Sequence, residues 1–263
     1  MRPISELPRE RALDLRGVVF DVDDTLTRGG VVERDSYDAL FALRDAGLFR
    51  VAVTGRPLGF AEVFAQTWPV DLAIGENGAG WFWRDAEGRL GRGHFDDSAT
   101  RAHHRTRLDA LRGELLREVP AVREVDDRTL RHTDIAYDVN EHDEHDEATI
   151  TDLANRIEAR GMKTVRSSVH LHAVLSEANK ANGTKRAVRE VLGVDLDATR
   201  NQWIFVGDSA NDAPAFAYFD LTAAPSNVAA HLSLLPNPPR YVAAADRGKG
   251  FAEIVAHILE LRR

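Results

Sequence analysis

The chain of 263 residues has no cysteine. Disulfides, thiolate nucleophiles and Cys-ligated zinc are excluded together. Long apolar runs are also missing: nothing approaches the roughly 18 consecutive apolar residues that a membrane-spanning helix needs. The opening stretch MRPISELPRERALDLRG carries charges and two prolines and lacks the apolar centre of a secretory signal. Positive charge is in deficit, with 34 Lys and Arg against 42 Asp and Glu. Such a balance suits neither a phosphate backbone nor an anionic membrane surface. Neither nucleic acid nor membrane is expected as a partner, and a cytoplasmic location is. There is no internal repeat and no low-complexity linker. What remains is 43% hydrophobic and 29% charged, a balance that can bury a sizeable core.

Two stretches share one rhythm. In the first, Val18-Val19-Phe20 forms a continuous apolar run that meets Asp21. Such a run predicts a strand buried on both faces. Helical patterns follow at 35–46 and 57–66, separated by apolar runs at 49–53 and 71–74. In the second, WIFVG (203–207) meets Asp208, and an amphipathic pattern closes the chain at 250–261. Strands alternating with helices predict an α/β fold, a doubly wound Rossmann-like parallel sheet. This core is expected to comprise residues 1–80 and 178–263. Residues 81–177 have longer helical patterns (98–118 and 147–159) and alternating strands, and read as an inserted α+β domain. Trp81, Phe82 and Trp83 are expected to pack its hinge. GENGAG (75–80) suits a flexible hinge and not a dinucleotide loop, because no helix of the right kind follows it.

In a parallel sheet, side chains just past the C-terminal strand ends converge on one rim. Two strands here bring acids to it: Asp21-Val22-Asp23-Asp24 and Asp208-Ser209-Ala210-Asn211-Asp212. A lone Asp at such a place is most often a helix N-cap. Two strand ends with at least two acids each must be neutralised, most simply by a hard divalent cation. Oxygen ligands without cysteine favour Mg²⁺.

These segments resemble the haloacid dehalogenase superfamily. DVDDTLT resembles its first motif, VAVTGR its second and FVGDSANDAP its fourth, and their order and spacing agree with that family. IGENGAG, the insertion after it, and SSVHLH ahead of Lys180 are similar to the phosphatases with a large α+β cap. The resemblance implies that Asp21 is the nucleophile, forming an aspartyl-phosphate, and that Asp23 is the general acid and base. It implies phosphate contacts from Thr54, Gly55 and Lys180. It implies Mg²⁺ held by Asp21, Asp23 through its backbone carbonyl, and Asp208, with Asn211 and Asp212 behind. Lys185 is the alternative to Lys180, although it falls inside a helical pattern. The implied activity is hydrolysis of a small phosphorylated metabolite, a sugar or glycosyl phosphate. A phosphomutase and a non-catalytic sensor are the alternatives.

The inserted domain carries its own candidates. Alternation over 166–172 puts Arg166, Ser168, His170 and His172 on one polar face, expected to meet the substrate. Asp134 and Asp138 are expected to pair with them or bind hydroxyls. The run NEHDEHDE (140–147) reads as a solvated loop with acids at a helix start, in preference to a metal site. Residues 124–147 contain ten acids and two bases, which accounts for the whole negative excess.

Overall fold

Apolar runs that end in acids become the central strands of a sheet. The structure, a computed structural model, describes residues 1–167 and 169–263. Its strands are β1 (Arg2–Pro3), β2 (Gly17–Phe20), β3 (Thr27–Arg28), β4 (Val31–Val32), β5 (Phe49–Val53), β6 (Leu72–Gly75), β7 (Gly80–Arg84), β8 (Leu90–His94), β9 (Asp134–Asp138), β10 (Lys163–Arg166), β11 (His170–Val174), β12 (Trp203–Val206), β13 (Leu221–Ala224) and β14 (Tyr241–Val242). The helices are α1 (Arg9–Leu13), α2 (Arg34–Asp45), α3 (Leu58–Thr67), α4 (Ser98–Glu118), α5 (Glu147–Glu158), α6 (Lys180–Leu192), α7 (Leu196–Thr199), α8 (Ala213–Tyr218) and α9 (Arg247–Leu261). No described helix is long and apolar enough to cross a membrane.

Among the described residues, nine strands form one sheet in the order β1-β14-β13-β12-β2-β5-β6-β7-β8. Pairing is parallel from β1 across to β6, then antiparallel for β7 and β8. The strand order reverses between β2 and β12, the position where doubly wound sheets open a crevice. β2 and β12 are buried along their whole length. Val18 and Phe20 pack on the layer holding Leu40 and Phe251, while Val19 faces the opposite layer with Val188 and Phe216. Burying one such side chain contributes about 1.5–3 kcal/mol, so the strand ends are held on a rigid base.

A second, antiparallel sheet has the order β10-β11-β9. Its apolar face, including Ile135, Tyr137 and Leu171, packs on Leu108, Leu111 and Leu153 of α4 and α5. The division expected at residue 81 falls inside a strand. β7 and β8 hydrogen-bond onto β6, so residues 80–94 belong with the large sheet, and the second unit starts at α4. Trp81 is accordingly a fully buried side chain of the large sheet.

The single strand expected over 166–172 is a hairpin. β10 ends at Arg166 and β11 begins at His170, with the Ser167 N–H donating to the His170 carbonyl at 2.9 Å. Arg166 therefore lies opposite Leu171, on the helix-facing side, and not beside His170. Its guanidinium makes two bonds of 2.7 Å to Glu147 at the start of α5. Ser168 lies outside the described residues.

Candidate active site

Three strand ends supply the centre. Asp21 follows β2, Thr54 follows β5, and Asp208 follows β12 by one residue. Asp208 and Asp212 are completely buried and Asp21 nearly so. Asp21, Asp208 and Asp212 each bring a carboxylate oxygen to within 4.8 Å of the others.

Lys180 enters this cluster from α6. Its Nζ lies 2.7 Å from Asp21 Oδ1 and 2.6 Å from Asp212 Oδ1, with the side chain fully buried. Lys180 is the first residue of α6, immediately after its cap Asn179. Close approach sets its position. A Cβ on Gly183 would lie 2.4 Å from the Gly78 Cα, so only two glycines let the start of α6 reach the 76–78 turn. Lys185, the alternative, pairs with Asp197 at 2.8 Å in a partly exposed position.

The other acids are held by fixed donors. Asp212 Oδ2 accepts from the backbone N–H groups of Asp208 and Ser209 at 2.9 and 3.0 Å. Asp208 accepts from the Thr25 hydroxyl at 3.1 Å and from Asn227 Nδ2 at 2.9 Å. Asn211 donates to Asn77 at 3.0 Å. One lysine thus stands against three buried carboxylates. Burial, with Asp212 and Asp23 nearby, pushes Asp21 up to about 8 against the pull of Lys180. Burial and the charges of Asp21 and Asp212 also raise Asp208 well above the ordinary carboxylate range. Excess buried negative charge on oxygen ligands fits a hard divalent cation such as Mg²⁺. The Asp23 carboxylate is not part of this cluster.

Asp23 instead faces outward and meets Arg56. Arg56 Nε donates to both Asp23 oxygens at 3.0 and 3.1 Å, and its Nη2 reaches Glu141 Oε1 at 3.0 Å. Glu141 Oε2 in turn lies 2.7 Å from His170 Nε2. The Thr54 hydroxyl accepts from the Arg56 N–H at 3.0 Å, closing the turn through Gly55. Arg56 and Glu141 are absent from the candidates read from sequence. Arg56 was signalled by its place directly after Thr54-Gly55. Glu141 lay hidden in the acidic run read as solvated. Asp138 turns it inward by accepting the N–H groups of Asn140, Glu141 and His142 at 2.8 to 3.1 Å. The remaining expectation for that run holds at Asp146, which caps α5 through the Thr149 N–H.

The polar face of the second sheet covers this centre. His170 and His172 are both buried, and His172 Nδ1 lies 2.7 Å from Asp134 Oδ2. Arg131 backs Asp134 at 3.1 Å and donates to the Gly55 carbonyl at 3.1 Å. The expected hinge at 75–80 is bridged by hydrogen bonds from both units. Buried Glu76 accepts the Leu58 N–H at 3.0 Å from the large sheet's side, and the N–H groups of His132 and Thr133 at 2.8 and 2.6 Å from the second unit. Between the two units lies a cavity of about 10 Å³, walled by Asp21, Asp23, Arg56, His170, His172 and Ser209. Outside the Arg56–Glu141 pair, a cleft of about 520 Å³ opens between Asp24, Arg28, Arg247 and His142.

No protein-family model matches the sequence, and no curated protein does. Solved structures do. A protein from Thermoplasma acidophilum superposes with a TM-score of 0.69 at 19% identity, covering 94% of this chain and 99% of that one. Sucrose-phosphatase from Synechocystis, solved with sucrose and phosphate, gives 0.63 at 17% identity over 93% and 98%. A haloacid dehalogenase-like hydrolase from B. subtilis gives 0.63 at 18% identity over 92% and 99%. Over nearly its whole length, then, the chain has the fold of the haloacid dehalogenase-like hydrolases, a Rossmann-like core with a second unit set over its rim.

Proposed function

We propose that the protein is a Mg²⁺-dependent phosphomonoester hydrolase whose substrate is a small phosphorylated metabolite, a sugar or glycosyl phosphate. The observation that carries this reading is Lys180 held between Asp21 and Asp212, with Asp208 alongside and Asp23 turned toward the covering sheet. A nucleophilic carboxylate needs a countercharge on one side and an acid on the other, and this arrangement supplies both.

Asp21 attacks phosphorus in line, and Lys180 offsets the repulsion between its carboxylate and the phosphoryl oxygens. The Thr54 hydroxyl and the Gly55 backbone N–H orient the phosphoryl group. Asp23, once protonated and freed from Arg56, gives its proton to the departing alkoxide, then takes one from the water that cleaves the aspartyl-phosphate. Mg²⁺ held by Asp21, Asp208 and the Asp23 carbonyl, with Asn211 and Asp212 behind, would stabilise charge on the transferring group. The second sheet acts as a cap. Its Glu141 and His170 are hydrogen-bonding groups suited to substrate hydroxyls. The neighbouring sucrose-phosphatase supports a sugar leaving group.

Release of inorganic phosphate from p-nitrophenyl phosphate and from a panel of sugar phosphates, in Mg²⁺, tests the reading. Activity abolished by Asp21→Asn is the expected result. Turnover only with a bisphosphate primer, without phosphate release, would replace it with a mutase. Binding without turnover would replace it with a sensor.

A further inference from the structure

His172 has a place in the cavity between the two units, and the mechanism above gives it no role. Its side chain is completely buried. Nδ1 is committed to Asp134 at 2.7 Å. Nε2 is buried with no hydrogen-bond partner among the described residues. An unpartnered buried nitrogen costs about 1–3 kcal/mol, so it calls for an occupant of the space it borders. His172 is among the residues that wall the cavity shared with Asp21 and Asp23. Its volume, about 10 Å³, is near the minimum for one water molecule.

The state of the ring narrows the occupant. Asp134 is an acceptor, so Nδ1 carries the hydrogen. Burial holds the imidazole below its ordinary pKa, against the pull of Asp134. Arg131, whose Nη1 lies 3.1 Å from the same Asp134 oxygen that His172 contacts, keeps that carboxylate ionised. In the neutral ring Nε2 is an acceptor. Phosphoryl oxygens and an ester oxygen are acceptors too, and cannot satisfy it. A hydroxyl of the leaving group can while substrate is bound, and once the leaving group has departed a water molecule is the donor that remains.

We propose that His172 holds the hydrolytic water over the aspartyl-phosphate, so that it serves the second half of the reaction and not the first. The inference rests on the phosphatase reading above. The water oxygen forms its bond to phosphorus as the bond from phosphorus to the Asp21 oxygen breaks. Asp23 takes one water proton, and the other stays on the phosphate, pointing at His172 Nε2 during the attack. The products are the Asp21 carboxylate, hydrogen phosphate and protonated Asp23. His172 gains and loses no proton. It fixes the direction of the water, and Asp134 fixes His172.

The test separates the two half-reactions. In His172→Ala with p-nitrophenyl phosphate and Mg²⁺, kcat is expected to fall about tenfold to hundredfold. kcat/KM, which ends at nitrophenol release, is expected to hold within about twofold. Rapid mixing should show a nitrophenol burst, and acid quench with mass spectrometry should find phosphate on Asp21. His172→Gln, whose Oε1 can stand where Nε2 stands, should recover part of kcat and carries the test if the alanine variant does not fold. Equal loss of kcat and kcat/KM without a burst overturns the proposal and makes His172 a leaving-group or structural contact. Unchanged constants overturn it as well. A wild type that releases no phosphate overturns the parent reading instead, which keeps the two failures distinct.

Discussion

Lys180 Nζ sits 2.7 Å from Asp21 Oδ1, and both side chains are cut off from water. Asp21 and Asp212 together hold the ammonium charged despite its burial. Removing one member of a buried pair leaves charge without compensation, at about 3–5 kcal/mol. Lys180→Ala should therefore lose that much stability in urea unfolding and lose phosphatase activity. Lys185→Ala removes a partly exposed pair with Asp197 and should cost no more than about 1 kcal/mol. Equal effects from the two variants would show that Lys180 is not the neutralising group.

Cation binding should depend on pH. Asp21 rests at about 8, above its ordinary 3.8. Without a cation its contribution to stability is fully present below about pH 4 and is lost as pH rises through about 8. A divalent cation needs the ionised carboxylates, so its stabilisation grows over the same range. The Tm gain from millimolar Mg²⁺ should be larger at about pH 9 than at about pH 6, and Asp208→Asn should remove it. The same gain at both pH values, or one that survives Asp208→Asn, would place the ion elsewhere.

The parts legible in sequence are those set by local pattern. The apolar runs before Asp21 and Asp208 declare β2 and β12, and the helix over 98–118 is bounded by Asp97, whose side chain accepts from the Thr100 N–H. The illegible parts depend on distant contacts or on weak turn chemistry. Arg56 meets Glu141 across 85 positions of chain, and nothing near Glu141 announces the partner. The sequence between Arg166 and His170 has neither glycine nor proline to announce a strand end, and the Ser167 hydroxyl accepts from the His170 N–H at 3.0 Å. Alternation alone runs straight through such a stretch, and so puts Arg166 on the wrong face. The boundary at residue 81 fails for a related reason: two antiparallel strands added to a parallel sheet look no different in sequence from the start of a new unit.

Glu76 should make the joint between the units sensitive to pH. Burial, reinforced by Asp134, raises it from 4.5 to about 7, although Thr133 and three backbone N–H groups favour its charge. Its contribution is fully present below about pH 4.5 and is lost as pH rises through about 7. In Glu76→Gln the amide turns an N–H toward groups that are themselves donors, which should cost about 1–3 kcal/mol. The gap between wild type and variant should narrow from about pH 5 to about pH 8 in urea unfolding. Parallel curves would mean that Glu76 stays ionised throughout.

The cap face should divide sharply between Arg166 and His170. Arg166 is bound to Glu147 on the side away from the cavity, and Glu147 is largely exposed. Such a pair is worth about 1 kcal/mol at most. Arg166→Ala should leave kcat/KM for the best sugar phosphate within about twofold. His170 borders the cavity and is tied through Glu141 to Arg56, which lies on Asp23. His170→Ala and Glu141→Gln both loosen that chain, and should lower kcat/KM about tenfold to hundredfold. The loss should be greater for a sugar phosphate than for p-nitrophenyl phosphate, because only the sugar offers hydroxyls to these groups. An equal loss for both substrates would assign Glu141 and His170 to holding Arg56 and Asp23, with no part in reading the leaving group. A loss on Arg166→Ala matching that of His170→Ala would mean that the cap turns its other face to the substrate.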